Sequence, residues 1–180
     1  SGTASTSGDS NTAVGHSSLA ANTTGYQNTA LGKSALSANT TGDLNTAVGF
    51  EALAINTTGE YLTAIGHGAL SASTSGDSNT NSTGELNTAV GVEALKSNTT
   101  ADFNVAVGAA SLQSNTTASY NTATGYRALN ANTTGAANTA LGYDTLKVNT
   151  TGDENVAIGY TALDANTTGG YNVGVGNYAL

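Results

Sequence analysis

A phrase of 17 residues with the consensus NTAVGxxALxxNTTGxx recurs along nearly the whole chain of 180 residues. When position 1 is the Asn of NTAVG, full copies start at residues 11, 28, 45, 62, 87, 104, 121, 138 and 155, with partial copies at both ends. The register is broken once, by a short insert at 79–86. Since no residues are left for a second unit, we predict that 1–180 forms one repeat domain.

The composition of the repeat decides between helix and strand. Two Gly residues and an Asn-Thr step in most copies would break any helix of useful length. Residues at positions 2 and 4 alternate with Ala at position 3, which is the period of a strand, and Gly and Asn-Thr-Thr-Gly are turn formers. Each copy is therefore predicted to form a strand, a corner, a short strand around Ala-Leu and a second corner.

Such a unit can bury its apolar side chains only by stacking on further copies. We predict an all-β fold, a parallel β-solenoid of about ten coils and about 50 Å in length at the usual strand spacing. The insert at 79–86 is too short for a coil. It is predicted to protrude at a corner, so that the strand at 87–91 stacks directly on the strand at 62–66.

The repeat also predicts which side chains lie inside. Positions 4 and 9 are expected to form the core, represented by Val14 and by the Leu column of Leu19, Leu36, Leu53, Leu70, Leu95, Leu112, Leu129, Leu146 and Leu163. Because position 3 points away from such a core and accepts only a methyl group, we expect a subunit seam at Ala13, Ala30, Ala47, Ala89, Ala106, Ala123, Ala140 and Ala157. The alternative is a narrow interior that admits only Ala.

Charge and composition exclude several classes of function. The net charge of −8 opposes binding to nucleic acid, no apolar run is long enough for membrane insertion, and Cys is absent. No nucleophile, base and cleft occur together, so we expect neither enzyme activity nor a cofactor. Carboxylates at position 16, including Asp43, Glu60, Asp77, Glu85 and Asp102, are interpreted as a solvated edge, with calcium binding as the alternative.

Two further patterns have open interpretations. The Asn-Thr-Thr phrases match the N-glycosylation pattern, but stacked turns also favour Asn at this position. Aromatic residues concentrate at position 6 (Phe50, Tyr126, Tyr143, Tyr160) and position 17 (Tyr61, Phe103, Tyr120, Tyr171). They are interpreted as rings that cover the corners, with a platform for sugar rings as the alternative.

The phrases NTAVGHSSLAANTTG, NTALGKSALSANTTG and NVAIGYTALDANTTG resemble the tandem repeats of bacteriophage tail-fibre proteins, and they are similar to shorter repeats in the heads of trimeric autotransporter adhesins. The resemblance covers residues 11–180. It implies a left-handed parallel β-roll assembled as a homotrimer, with the apolar strand residues inward and Ala at the seam.

The function expected from these features is a structural fibre segment for surface or host attachment, located outside the cell, on a virion or on a cell surface. Its partners would be further copies of itself and a cell-surface glycan or receptor. The alternatives are a filament that assembles end to end and, as a minor one, ice binding. Ice binding needs a flat Thr array, whereas the adjacent Thr residues at positions 13 and 14 face different ways.

Overall fold

The computed structural model describes residues 8–72 and 86–180, and it confirms an all-β solenoid with a repeat of 17 residues. Ten short strands form one parallel sheet in chain order. They are Thr12–Val14 (β1), Thr29–Leu31 (β2), Thr46–Val48 (β3), Thr63–Ile65 (β4), Thr88–Val90 (β5), Val105–Val107 (β6), Thr122–Thr124 (β7), Thr139–Leu141 (β8), Val156–Ile158 (β9) and Val173–Val175 (β10). No helix occurs in the described ranges.

Every strand pairs with the next at the same repeat position, including across the break in register. Thr63 pairs with Thr88, and Ile65 pairs with Val90, so β5 stacks directly on β4. The predicted stacking of 87–91 on 62–66 is therefore confirmed. The insert at 79–86 lies outside the described residues except for Leu86, so its predicted extrusion stays a prediction.

The Leu column at position 9 is confirmed as the interior of the solenoid. From Leu36 to Leu146 these side chains are inaccessible to solvent, and Leu19 and Leu163 are almost so. They form one apolar cluster with the Ala residues at positions 3 and 8. Because each coil repeats the same pair of small residues beside one Leu, the core is a thin column that runs the length of the stack.

The predicted placement of position 3 at a subunit seam is wrong. Within a single chain, Ala30, Ala47, Ala89, Ala106, Ala123, Ala140 and Ala157 are fully buried in the apolar cluster, and Ala13 packs against it. The assignment of Val14 to the core is also wrong, because this side chain is 54% exposed. Positions 2 and 4 face outward along the whole sheet.

The space inside the coil explains why position 3, and not position 4, faces the core. Gly174 takes the place of Ala in the last strand, and a Cβ at this residue would lie only 2.9 Å from Cγ of Leu163. In the last coil even a methyl group is too close to the Leu column, and in the preceding strands the fully buried Ala side chains leave no space for a larger one. The narrow interior that the sequence left as an alternative is the arrangement in the structure.

The predicted short strand around Ala-Leu is absent from the described coils, where positions 6 to 11 form turns. Positions 7 and 9 adopt left-handed backbone conformations, as in Ser17 (φ 57°) and Leu19 (φ 49°). This conformation costs an ordinary residue about 1–2 kcal/mol. Bonds between coils offset the cost: the Leu36 amide donates to the Ala52 carbonyl (3.0 Å), and the pattern recurs along the stack.

Glycine is required where two corners stack. Gly108, at position 5, has φ 132°, and a Cβ would collide with the backbone of Gly125 in the next coil. Position 15 is also tight, yet Ala101 and Ala118 occupy it in two coils. Position 5 therefore excludes Ala more strictly than position 15 does.

Two columns of buried Asn side chains connect the coils. At position 12, Asn132 Nδ2 donates to Asn115 Oδ1 (3.0 Å) and to the Gly135 carbonyl (2.8 Å). At position 1, Asn121 Oδ1 accepts from the backbone amide of Asn138 (2.9 Å). With the exception of Asn104, whose buried Nδ2 has no partner, these Asn side chains bond to groups in their own coil and in a neighbour, which explains why polar residues are tolerated inside.

Candidate functional site

The outward side chains of the strands form one continuous surface, which we call the strand face. It consists of position 2 (Thr12, Thr29, Thr46, Thr63, Thr88, Val105, Thr122, Thr139, Val156, Val173) and position 4 (Val14, Leu31, Val48, Ile65, Val90, Val107, Thr124, Leu141, Ile158, Val175). All are exposed or half-buried, and none is charged. All 16 charged residues of the chain lie at other repeat positions.

The strand face is large for a surface exposed to water. At the usual strand dimensions its two columns cover roughly 600 Å². This value reaches the upper end of the apolar patches found on monomers, about 300–600 Å². Leu31 and Leu141 are each 47% exposed, and burying such side chains would be favourable at roughly 25 cal/mol per Å².

Aromatic side chains border the strand face at position 6. Tyr126, Tyr143 and Tyr160, which we call the tyrosine ladder, stack with ring centroids 5.3 Å and 5.1 Å apart. Phe50 stacks in the same way on His67 (5.3 Å). These contacts support the structural interpretation of the position 6 column.

The other faces of these rings are also occupied or contacted. The Arg127 guanidinium lies 4.8 Å from the ring centroid of Tyr126, and Lys33 Nζ lies 5.6 Å from that of Phe50. Tyr178 meets Tyr160 edge-on at 5.4 Å. A sugar ring stacks on an aromatic face, so it would have to displace a neighbour along this column.

At position 17 the aromatic rings border the opposite edge of the strand face. Phe103 and Tyr120 stack with centroids 5.2 Å apart and nearly parallel planes. Tyr61 and Tyr171 occupy the same position in other coils and are exposed. Positions 17 and 6 therefore carry aromatic rings in several coils on either side of the strands, but they also carry Glu154 and Lys33, so the uncharged surface is confined to the strand face.

The acidic column at position 16 makes hydrogen bonds between coils. Asp43 Oδ1 accepts from the backbone amide of Tyr26 (2.8 Å), and Asp153 Oδ1 accepts from that of Ala136 (2.7 Å). The nearby charge of Asp43 raises the pKa of the Tyr26 hydroxyl. Among the described residues no group of three acidic or histidine side chains could hold a metal ion, and Asp77 and Glu85 lie outside them.

The Asn residues of the Asn-Thr-Thr phrases are mostly inaccessible. Seven of the eight are fully buried, and Asn166 is half-buried. Their Nδ2 atoms, to which an N-linked glycan would be attached, donate hydrogen bonds within the two Asn columns. A glycan at a buried Asn is therefore incompatible with the folded coil.

Ion pairs cluster at positions 7 and 10 of neighbouring coils. Arg127 binds Asp144 in a bidentate manner (2.8 and 2.6 Å), and Lys147 Nζ lies 3.5 Å from the same carboxylate. The hydrogen bond with Asp144 raises the pKa of Arg127. A second pair joins Lys96 to Glu93 (2.8 Å), and the hydrogen bond from Lys96 lowers the pKa of the Glu93 carboxyl. The first cluster joins two coils around the buried Asp144 carboxylate, and the second lies within one coil.

Two open cavities lie beside the first described coil. One is lined by Asp9, Ser10, Thr24, Tyr26 and Gln27, and the other by the neighbouring interior positions. Neither contains a nucleophile paired with a base. The described part of the chain has no helix that is long and apolar enough to cross a membrane.

The strand face was missed in the sequence because its apolar side chains were assigned to the core. A signal was present in the copies themselves. Position 3 is Ala in every full copy, whereas position 4 varies among Val, Leu, Ile and Thr. A packed interior admits few side chains, and an outer surface admits many, so the invariant position is the buried one.

Known proteins offer no further guide to the site. Comparison of the chain with models of protein families, with curated proteins and with solved structures gave no match.

Proposed function

We propose that the chain is a structural fibre segment, which assembles as a homotrimer through the strand face and serves in attachment at a surface outside the cell. The observation that carries this proposal is the uncharged, largely aliphatic face that extends over all ten strands. Such a surface is costly in contact with water and favours burial against another copy.

The dimensions of the face suit an association between chains. The roughly 600 Å² of the strand face reaches the lower end of the area that each partner buries in a standard interface, about 600–1,000 Å². A second copy supplies the same aliphatic columns at the same spacing. Three copies arranged around one axis would bury the strand face of each chain and leave the charged corners in water.

The solenoid would attach to a surface through many copies of the same weak contact, one from each coil. Each coil presents the same Thr-rich corner at positions 13 and 14, so any weak contact made by one coil is offered again by the next. Linked weak contacts gain avidity without a deep pocket. We propose a non-enzymatic role on this basis, with a cell-surface glycan or receptor as the partner.

Charge placed on the strand face tests the assembly. The double variant Val107→Lys/Leu141→Lys adds ammonium groups to two outward side chains, which are 37% and 47% exposed. We expect it to be a monomer with unchanged β-sheet circular dichroism, while the wild type sediments at three times the chain mass of 17.6 kDa. A wild type that is monomeric, or a variant that keeps the trimer mass, would contradict the proposal.

Two further variants make the test specific. Thr134→Lys adds a charge at the exposed Asn-Thr-Thr corner and should leave the trimer intact. Ala106→Leu, next to Val107 but inward, should destroy the fold rather than the assembly, since Ala106 is fully buried. Electron microscopy of the same samples distinguishes short trimers from the long threads of an end-to-end filament.

Ice binding is a second candidate, because the Thr side chains at position 2 lie on the exposed strand face rather than in a turn. It requires the face to be free in solution. A monomeric wild type that slows ice growth, and loses this effect when Thr122 and Thr139 are changed to Lys, would favour ice binding over the trimer.

A further inference from the structure

We propose that the tyrosine ladder is a site of oxidative cross-linking, at which neighbouring coils become joined by dityrosine bonds. The proposal concerns Tyr126, Tyr143 and Tyr160. It does not depend on the trimer, because the rings that would be joined belong to one chain.

The geometry brings the reactive carbons of successive rings together. Tyr143 and Tyr160 stack with centroids 5.1 Å apart and planes inclined by 6°, and Tyr126 and Tyr143 are 5.3 Å apart and inclined by 27°. In such a stack the carbons ortho to the hydroxyl of one ring lie beside those of the next. Coupling requires both rings to rotate out of the parallel stack about their side-chain torsions until two ortho carbons meet.

The rings are also accessible to solvent. Between 42% and 45% of each residue of the ladder is exposed, and the Arg127 side chain, which lies over Tyr126 and interacts with Tyr143, would have to move aside for these two rings to couple. The backbone beneath them is held in place by the hydrogen bonds between coils, such as that from the Asp144 amide to the Tyr126 carbonyl (2.9 Å). A coupling reaction would therefore move side chains and leave the coils in register.

The reaction requires an external oxidant, which we specify as hydrogen peroxide used by a haem peroxidase. Each of two phenols loses one electron and its hydroxyl proton, and the resulting phenoxyl radicals carry spin on their ortho carbons. A carbon–carbon bond forms between two ortho carbons, and each ring returns its ortho hydrogen to oxygen to regain a phenol. The two tyrosines together lose two hydrogen atoms, and one peroxide becomes two waters.

The other tyrosines lack this arrangement, with one partial exception. Tyr120 stacks on Phe103, which cannot couple in this way, and Tyr61 has leucines at position 17 of the adjoining coils. Tyr178 meets Tyr160 edge-on at 5.4 Å and forms a second possible pair. The chain contains no Cys, so disulfides cannot provide a covalent connection between coils.

Two variants with equal numbers of tyrosines test the proposal. Tyr143→Phe/Tyr178→Phe keeps rings in place but leaves Tyr126 and Tyr160 two coils apart, about 10 Å at the strand spacing. Tyr26→Phe/Tyr120→Phe removes two tyrosines outside the ladder. After dilute treatment of the full chain with peroxidase and peroxide, we expect dityrosine fluorescence in the wild type and in the second variant, and at least a tenfold loss in the first.

Peptide mapping and a variant that creates a new stacked tyrosine pair complete the experiment. The expected product migrates as a single chain on a denaturing gel and contains linked peptides from Tyr126, Tyr143 or Tyr160 with two hydrogen atoms fewer. Adding Phe103→Tyr to the Tyr143→Phe/Tyr178→Phe variant creates a new stacked pair with Tyr120 and should restore the fluorescence. Cross-links found only between chains, or an unchanged yield in the first variant, would overturn the proposal.

Discussion

Replacing a buried Asn of the position 12 column should destabilise the solenoid far more than replacing an Asn on the surface of the solenoid. Asn132 is fully buried; its Nδ2 donates to Asn115 Oδ1 and to the Gly135 carbonyl, and its Oδ1 accepts from Asn149 Nδ2 (2.9 Å). Asn132→Ala deprives neighbouring buried polar groups of partners, at about 1–3 kcal/mol for each one left unsatisfied. We expect a total loss of about 2–5 kcal/mol.

Asn130→Ala in the same coil is the matched control. Asn130 also makes two hydrogen bonds, to the Ala110 carbonyl and to Gln113 Oε1, but it is half-buried and water can replace them. A loss of about 1 kcal/mol or less is expected. Guanidinium unfolding followed by circular dichroism measures both, with amide hydrogen exchange to locate the weakened coils. Equal losses in the two variants would refute the reasoning.

The near-isosteric change Asn132→Asp adds a test by pH. A carboxyl buried in this column without a cation has a pKa above its unfolded value of about 3.9, because burial disfavours the charged form. The variant should therefore be most stable below about pH 3.9 and lose stability as the pH rises towards the folded-state pKa. Stability that instead increases over this range would show that the Asp side chain escapes from the interior.

Three further predictions follow from the corners. Gly108→Ala should cost about 3 kcal/mol by thermal unfolding, because its Cβ meets backbone and its φ of 132° is strained for Ala. Gly135→Ala should cost about 1 kcal/mol or less, because its φ is not positive and the coils with Ala101 and Ala118 already accommodate a Cβ at this position. Ala110→Gly should stabilise by about 0.5–1 kcal/mol, because Ala110 has φ 57°, and Ala109→Gly should destabilise by a similar amount. Excision of 79–86 should leave the melting temperature within a few degrees, since β4 and β5 already pair directly; a collapse of stability would assign that segment a structural role.

The parallel stack could be predicted from the sequence because it depends only on the period. A repeat of 17 residues with one strand and Gly corners leaves few other folds, and Leu recurs at position 9 in every copy. The same logic predicted the pairing of Thr63 with Thr88 across the break, which the structure confirms. The stack and its register can be predicted without knowing how wide the interior of the coil is.

The direction of the strand side chains could not be obtained from hydrophobicity. Burying Val14 and its equivalents removes more apolar surface from water than burying Ala13, so the transfer free energy favours the wrong face. The structure is decided by the space beside the Leu column and by the Asn at position 1, which lies on the same side as Ala and must reach a neighbouring coil. The left-handed backbone at Leu19 was likewise outside what propensity predicts.

The identical register of all neighbouring coils has a consequence for the gene. Recombination that duplicates or deletes one whole unit preserves the register of the strands, because each strand pairs with the next at the same repeat position. Each added unit would lengthen the rod by about 4.8 Å without requiring any new interface. Insertions of other lengths are admitted only where they leave the strands in register, as between β4 and β5. The number of coils in the solenoid can therefore change by single genetic events without loss of strand register.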